Sequence, residues 1–342
     1  MKNLTLRRIV SGVLTLSLVF ALAGCNYDKP ITTETEEFYL TKNDEMDEAT
    51  KASLNEITAA FEEYLASANP EGIKAYLDDD FETTNEQLKQ FADSFVSKNA
   101  AFTLYDSYYI KDVKPDTVTK MFKKSETANE GVELTPASDE MYLALYTTED
   151  GKKSYVEKVS HMVSLLCAKD GGKWEIVWVD ASDVKYNGED ARTILEKAVK
   201  ASEDGKFLSS YISSLMLNLT MRPGNALVYD NYLDMEDFYY KTATEFQKQY
   251  PLPYVPVSLP GTKLHAIALA NEEQGIIPLI VMESPVELSD ERRLRVQAKA
   301  VLEDLNLKSP GFTEDFPAIA ISAVASADAD AESVNFILTA EE

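Results

Sequence analysis

Cysteine and histidine are both rare in this chain. Its 342 residues include two cysteines, Cys25 and Cys167, and two histidines, His161 and His265. So few cysteines exclude the disulfide framework that stabilises many small secreted domains. The four residues also lack the close spacing of a zinc site built from histidine and cysteine. We therefore predict no bound metal and no other cofactor, and we expect Cys167 to be a small buried apolar residue.

Basic residues are few in comparison with acidic ones. The chain has 33 lysine and arginine residues against 58 aspartate and glutamate residues, and its formal charge is −25 at pH 7. Nucleic-acid binding requires a basic face that replaces the counterions of the phosphates, so this charge argues against a nucleic-acid partner. It also argues against a body that lies flat on an anionic membrane. The simplest interpretation is an acidic, solvated surface.

Loops that bind phosphate or calcium are missing from the sequence. Gly171-Gly172 is predicted to be a hairpin turn, and it lacks the following helix that a phosphate-binding loop requires. The acidic segments 78–80 and 328–330 lack the glycine and the distal glutamate of an EF-hand loop. We predict that both acidic segments are solvated turns.

The N-terminal segment carries an apolar run over residues 9–21, preceded by Lys2, Arg7 and Arg8. A permanent transmembrane helix needs about 20 apolar residues, so this run is short for that purpose. A positive start, a short apolar stretch and small residues before a cleavage point are typical of a secretory signal peptide. We predict a signal peptide over residues 1–24.

The signal ends in Leu22-Ala23-Gly24-Cys25, which resembles the lipobox of bacterial lipoproteins. The resemblance implies cleavage before Cys25, a diacylglyceryl group on its sulfur, and attachment to the outer face of the bacterial cytoplasmic membrane. Cysteine suits this chemistry because a thiolate is a much stronger nucleophile than a serine hydroxyl group. The alternative interpretation is an ordinary signal peptide with a chance cysteine.

Residues 25–47 are polar and acidic, and we predict that they form a tether between the anchor and the first domain.

The first domain is predicted over residues 48–187. Apolar spacing predicts helices at 48–67, 73–77 and 85–98, followed by strands at 102–113, 141–147, 154–168 and 174–179. This order, with the segments 75–81 and 171–180, resembles the nuclear transport factor-like or cystatin-like α+β cone. The resemblance implies N-terminal helices packed on a curved antiparallel sheet, with a pocket between them.

A second α+β domain is predicted over residues 188–342. It begins with helices around 194–199, 207–216 and 234–249. Its C-terminal half has the order ββαββ, with strands at 263–270, 276–283, 318–325 and 333–339. The intervening helix is predicted to be capped by Ser289 and to bury Leu294, Val301 and Leu305.

His161 is the main candidate for a functional side chain. Strand alternation predicts that it points into the cone, where Tyr142, Tyr155 or Asp106 would be its partners. We therefore consider His161 and Asp106 as candidate catalytic bases, and Tyr142, Tyr155 and His161 as candidate ligand-binding residues. The competing interpretation is a hydrogen-bonded interior histidine without a catalytic role. His265 also lies within an alternating strand and is a weaker candidate.

Two functional hypotheses follow from these observations. The first is a membrane-anchored, non-enzymatic binding or interaction module whose partner is a small molecule, a cell-wall component or a protein. The second is a cone-pocket enzyme that performs proton transfer or hydrolysis on a small exported molecule, with His161 or Asp106 as the base.

Overall fold

The computed structural model describes residues 37–39, 43–81, 83–96, 101–115, 119–148, 159–272, 275–328 and 331–339. The lipobox and Tyr155 lie outside these residues. The fold is mixed α+β, as predicted. By its internal contacts the chain forms two compact units, one that contains Pro30–Gly188 with Leu219–Tyr232 and one that contains Glu189–Asn218 with Leu233–Glu342.

Two helices precede the main sheet of the first unit. Helix α1 (Glu48–Ser67) begins at Asp47, whose carboxylate accepts a hydrogen bond from the N–H of Thr50 at 2.7 Å. Helix α2 (Asn85–Val96) follows. The buried face of α1 has the spacing of a helix packed on a core and consists of Leu54, Ile57, Phe61, Tyr64 and Leu65. The helix predicted at 73–77 is instead a pair of 3-10 turns, Pro70–Gly72 and Lys74–Tyr76.

A curled antiparallel sheet forms the centre of the first unit. Its strand order in this unit is β2 (Phe102–Lys111), β5 (Glu140–Thr148), β6 (Val159–Asp170) and β7 (Lys173–Tyr186). The chain continues past the unit boundary at Gly188 into the two-residue strand β8 (Glu189–Asp190). The sheet curls into a half-barrel that is compatible with a cone-like fold. Strand β7 extends well beyond the predicted 174–179, because its second half is polar and half-buried and gives no apolar alternation.

A second, four-stranded sheet was not predicted. Its order is β1 (Glu37–Tyr39), β3 (Lys120–Lys123), β4 (Glu130–Leu134) and β9 (Leu227–Tyr229). Gly131 of β4 is required there, since a Cβ atom would lie 2.7 Å from the carbonyl oxygen of Phe122. The turn before β9 packs on the curled sheet at Ser164 of β6, whose hydroxyl group donates to the carbonyl oxygen of Gly224 at 2.7 Å.

The second unit has three helices followed by a mixed sheet. The helices are α3 (Ala191–Glu203), α4 (Phe207–Thr220) and α5 (Tyr232–Gln249). The last two residues of α4 and the first residue of α5 belong to the first unit. The sheet order is β10 (Lys263–Glu272), β11 (Gly275–Glu283), β12 (Ala318–Val324) and β13 (Ser333–Thr339). Strands β11 and β12 are parallel, and helix α6 (Glu291–Lys308) connects them, together with the short helix α7 (Phe312–Asp315). This confirms the predicted ββαββ order.

The predicted start of α6 is wrong by one residue. Asp290, not Ser289, is the N-cap, and its carboxylate accepts from the N–H of Arg293 at 3.1 Å. Serine and aspartate are both good N-cap residues, so the sequence alone does not choose between them. Leu294, Val301 and Leu305 are buried as predicted.

None of the helices among the described residues has both the length and the apolar composition needed to cross a bilayer.

Candidate functional site

The face of the curled sheet that packs on helix α1 is covered by the protein's own aromatic side chains. Helix α1 contributes Phe61 and Tyr64, and the ring centroid of Phe61 lies 5.8 Å from that of Tyr146 on β5. The hydroxyl group of Tyr64 donates to the carbonyl oxygen of Leu88. Further buried aromatic residues of the same core cluster are Tyr109, Tyr142 and Trp174, each at most 8% exposed. Burial raises the pKa of Tyr64 and of Tyr146 far above the usual value of a phenol, so both stay neutral.

Tyr142 belongs to this packed interior and is distant from His161. It lies opposite Cys167 of β6 in the register, six residues along the strand from His161. At the rise of an antiparallel strand this separation is about 20 Å. Tyr142 is 8% exposed, and burial raises its pKa. The predicted pairing of His161 with Tyr142 is therefore wrong.

His161 lies near the start of strand β6 and has a different partner, Asp183 of β7. The distance between Nδ1 of His161 and Oδ1 of Asp183 is 2.6 Å, and the side chains are 14% and 25% exposed. The hydroxyl group of Tyr186 donates to the other carboxylate oxygen of Asp183. The three residues form a chain of hydrogen bonds in which a carboxylate orients an imidazole, as a general base requires.

Asp183 was missed because the strand register shifts. Next to the Gly171-Gly172 turn, Asp170 pairs with Lys173. If the hairpin continued from there without a bulge, Ser182 would lie opposite His161. A bulge between Leu166 and Cys167 shifts the register by one residue, so Asp183 takes that position. A second shift beside His161 increases the local twist. No feature of the sequence marks either bulge.

Asp106 is not part of this cluster. It lies opposite Leu145 of β5 in the register, on the sheet face away from helix α1. Its carboxylate forms an ion pair with Lys124, which directly follows strand β3. His161 alternates in step with Val163 and Leu165, which belong to the core cluster that contains α1. The two candidate bases are therefore on opposite sides of the sheet, and the predicted partnership between them is wrong.

His265, in the second unit, also has a carboxylate partner. Its Nε2 atom lies 2.9 Å from Oε2 of Glu283, and Lys263 lies 2.8 Å from the other oxygen of the same carboxylate. Hydrogen bonds from Lys263 and His265 lower the pKa of Glu283. The arrangement is a cross-strand cluster of charges between β10 and β11, which is a common stabilising pattern in sheets.

Cys167 is fully buried in the core of the first unit, as predicted. Burial raises the pKa of its thiol to about 12. A neutral, buried thiol is a poor nucleophile, so these properties favour the predicted structural role of Cys167.

The described residues contain no group of three or more histidine, cysteine, aspartate and glutamate side chains that could hold a metal ion. In the acidic segment 78–80 the carboxylate of Asp78 accepts from the N–H of Asp80 at 2.8 Å. In segment 328–330 the hydroxyl group of Ser326 donates to Asp328 at 2.9 Å, while Asp330 lies outside the described residues.

Comparison of the chain with protein-family models, with curated proteins and with solved structures finds no significant match.

Proposed function

We propose that this chain is a bacterial lipoprotein that acts as a non-enzymatic binding or interaction module at the cell surface. The observation that carries the proposal is the motif Leu22-Ala23-Gly24-Cys25 behind a positive start and a short apolar run. In this proposal residues 1–24 are removed, Cys25 carries a diacylglyceryl group, and the chain is held at the outer face of the cytoplasmic membrane. The first domain is assigned to the nuclear transport factor-like or cystatin-like cones.

The proposed anchor is strong enough to hold an acidic body at a membrane. Each buried CH₂ group contributes about 0.8 kcal/mol, so two long acyl chains provide on the order of 20 kcal/mol. Removal of the signal takes Lys2, Arg7 and Arg8 with it, so the formal charge of the anchored chain is −28 (−25 − 3). Its repulsion from anionic lipids is reduced by the tether and by salt, because exposed charges are screened over about 8 Å at physiological ionic strength.

The filled interior of the cone supports a binding role over an enzymatic one. A cone enzyme needs room for a substrate between sheet and helices, and Phe61, Tyr64, Tyr146 and Trp174 occupy that space. Removing these side chains from the core is costly, about 3–5 kcal/mol for a phenylalanine or tryptophan. We infer that the partner is bound at the outer surface.

Thermal unfolding of the mature protein in the presence of glycans, small metabolites and peptides tests this function. A ligand that binds only the folded state at 100 times its Kd raises the unfolding free energy by about 2.7 kcal/mol. The proposal predicts stabilisation by one class without any chemical change in that compound. Turnover of a compound, lost on His161→Gln, would contradict it.

The geometry of His161 favours one alternative function. The 2.6 Å contact with Asp183 would orient the imidazole for proton transfer or hydrolysis on a small exported molecule at the end of the cone. In that case Asp183→Asn would reduce turnover while the protein stays folded, since the amide favours the other orientation or tautomer of the imidazole.

A further inference from the structure

In the described part of the chain, the first half of strand β2 lies at an edge of the curled sheet. Among the described strands its only neighbour in the sheet is β5. Thr103, Leu104 and Tyr105 are all exposed, Leu104 by 51% and Tyr105 by 47%. Thr103 and Leu104 precede a bulge between Leu104 and Asp106, and their side chains point to opposite faces of the strand, so both faces are accessible here.

Asn43 covers the second half of the same edge. Its side-chain amide donates to the carbonyl oxygen of Ser107 at 2.7 Å and accepts from the backbone N–H of Tyr109 at 2.6 Å. A neighbouring strand would form the same two bonds. The outward-facing N–H and C=O groups of β2 are therefore able to bond to a further strand. At this point the side chain of Asn43 occupies them instead.

The strand register places Leu104 in the same orientation as Ser107. Ser107 lies opposite Ala144 of β5, and Leu104 lies opposite Tyr146, two residues further along. Residues of an antiparallel pair alternate between those that bond to the partner strand and those that point away from it. Positions two apart on β5 have the same orientation, so the N–H and C=O groups of Leu104 point to the outer edge.

Carboxylates lie beside both halves of β2. Asp44 and Glu45 are exposed in the 3-10 turn that carries Asn43, and Glu130 accepts a hydrogen bond from the hydroxyl group of Tyr105 at 2.7 Å. The nearby cation Lys124 is paired with Asp106. In a chain of charge −25 these groups favour a ligand of positive charge.

We propose that the edge of β2 at Leu104 binds an extended basic peptide segment, which adds a strand to the curled sheet. Hydrogen bonds to the N–H and C=O groups of Leu104 hold the backbone of the peptide, and the exposed side chains of Leu104 and Tyr105 contact its apolar residues. An exposed strand edge is a ready template for such pairing. This inference rests on the proposed binding function and gives it a partner class, a protein with a flexible basic segment.

The test uses the mature protein and a fluorescein-labelled peptide of seven residues in which lysine alternates with valine or threonine. Fluorescence anisotropy measures its affinity for the wild-type protein, for Leu104→Pro and for the matched variant Leu104→Ala. Proline removes the outward N–H group at a position that does not bond to β5, and alanine shortens the side chain but keeps that group. A second peptide, N-methylated at alternate residues, tests the same bonds without a change in the protein.

We expect Leu104→Pro to weaken binding by about tenfold or more, as the loss of ladder bonds implies, and Leu104→Ala by about threefold at most. The N-methylated peptide should also bind at least about tenfold more weakly than the unmodified one. Asp44→Asn combined with Glu45→Gln should weaken binding and reduce its dependence on salt. Failure of the unmodified peptide to bind, or equal affinity of both peptides for the wild-type protein, would overturn the proposal.

Capture of partners by the mature protein separates this proposal from the proposed function. If cross-linking on cells yields a partner that Leu104→Pro still captures, the binding function stands and the assignment to the β2 edge fails. If the mature protein also turns over a substrate through His161, the proposed function itself fails.

Discussion

Asp183 is contacted by two side chains at once, by Nδ1 of His161 at 2.6 Å and by the hydroxyl group of Tyr186. All three residues lie on the hairpin of β6 and β7, at the end where the register shifts. The contacts tie the ends of the two strands together with partly buried polar groups, which are costly to leave without partners.

Asp183→Asn should therefore lower the free energy of unfolding by about 1–3 kcal/mol, because one acceptor oxygen becomes a donor amide. His161→Gln should cost less, about 1 kcal/mol, since glutamine retains a hydrogen-bonding group. Urea denaturation measures both. Under the proposed function, neither variant abolishes binding of the partner. Loss of binding or of an activity in a fully folded His161→Gln protein would show that the histidine is functional.

Cys167 should be unreactive in the folded protein. Its thiol is buried and burial raises its pKa to about 12, so almost no thiolate exists at pH 8. In a Cys25→Ser chain, where Cys167 is the only cysteine, a thiol-specific reagent should label the folded protein very slowly and the urea-unfolded protein completely. Rapid labelling without denaturant would mean that the core of the first unit opens readily.

Glu140 should contribute to the acid sensitivity of the first unit. Burial acts to raise its pKa, but hydrogen bonds from Lys169 and Tyr109 outweigh burial and hold the pKa below the usual range. When the pKa of a carboxyl group is lower in the folded protein than in the unfolded chain, the charged group stabilises the fold at any pH above the unfolded-state pKa. This stabilisation is lost as the pH falls through the folded-state pKa. The stabilisation from Glu140 should therefore be lost as the pH falls below the usual carboxyl value of 4.5.

Glu140→Gln is the matched variant for this pH dependence. It should be less stable than the wild type at pH 7, because it lacks the 2.8 Å ion pair with Lys169, and the difference should shrink in acid. Urea denaturation at a series of pH values measures it. A difference that stays constant from pH 7 to pH 3 would contradict the lowered pKa.

The start of helix α6 can be tested with two neighbouring substitutions. Asp290→Ala should cost about 1 kcal/mol, because Asp290 is the residue that satisfies the N–H of Arg293. Ser289→Ala should have almost no effect. Thermal or urea unfolding of the two variants compares them directly, and equal losses would place the cap at neither residue alone.

The elements that the sequence predicts well are those with a long apolar period. The spacing of Leu54, Ile57 and Phe61 predicts helix α1, and the helix begins and ends as expected. Strand β13 has its predicted limits, because its apolar residues alternate up to Thr339. In both cases one face of the element is buried, and the spacing of the apolar residues in the sequence indicates that face.

The features that the sequence does not predict depend on contacts between distant residues. Strands β3 and β4 have five residues at most, and charged residues such as Lys120 and Glu133 interrupt any alternation. They become strands because the backbone N–H and C=O groups of each bond to a neighbouring strand, and because Phe122 and Val132 are buried. The partnership of His161 with Asp183 depends on a bulge, which is a property of the packed sheet and has no local sequence signal.

The most direct test of the account is mass spectrometry of the protein purified from the membranes of a bacterium that expresses it. The account predicts that residues 1–24 are absent, that the chain begins at Cys25, and that Cys25 carries a diacylglyceryl group in thioether linkage. A chain that begins elsewhere, or a Cys25 with a free thiol, would contradict it.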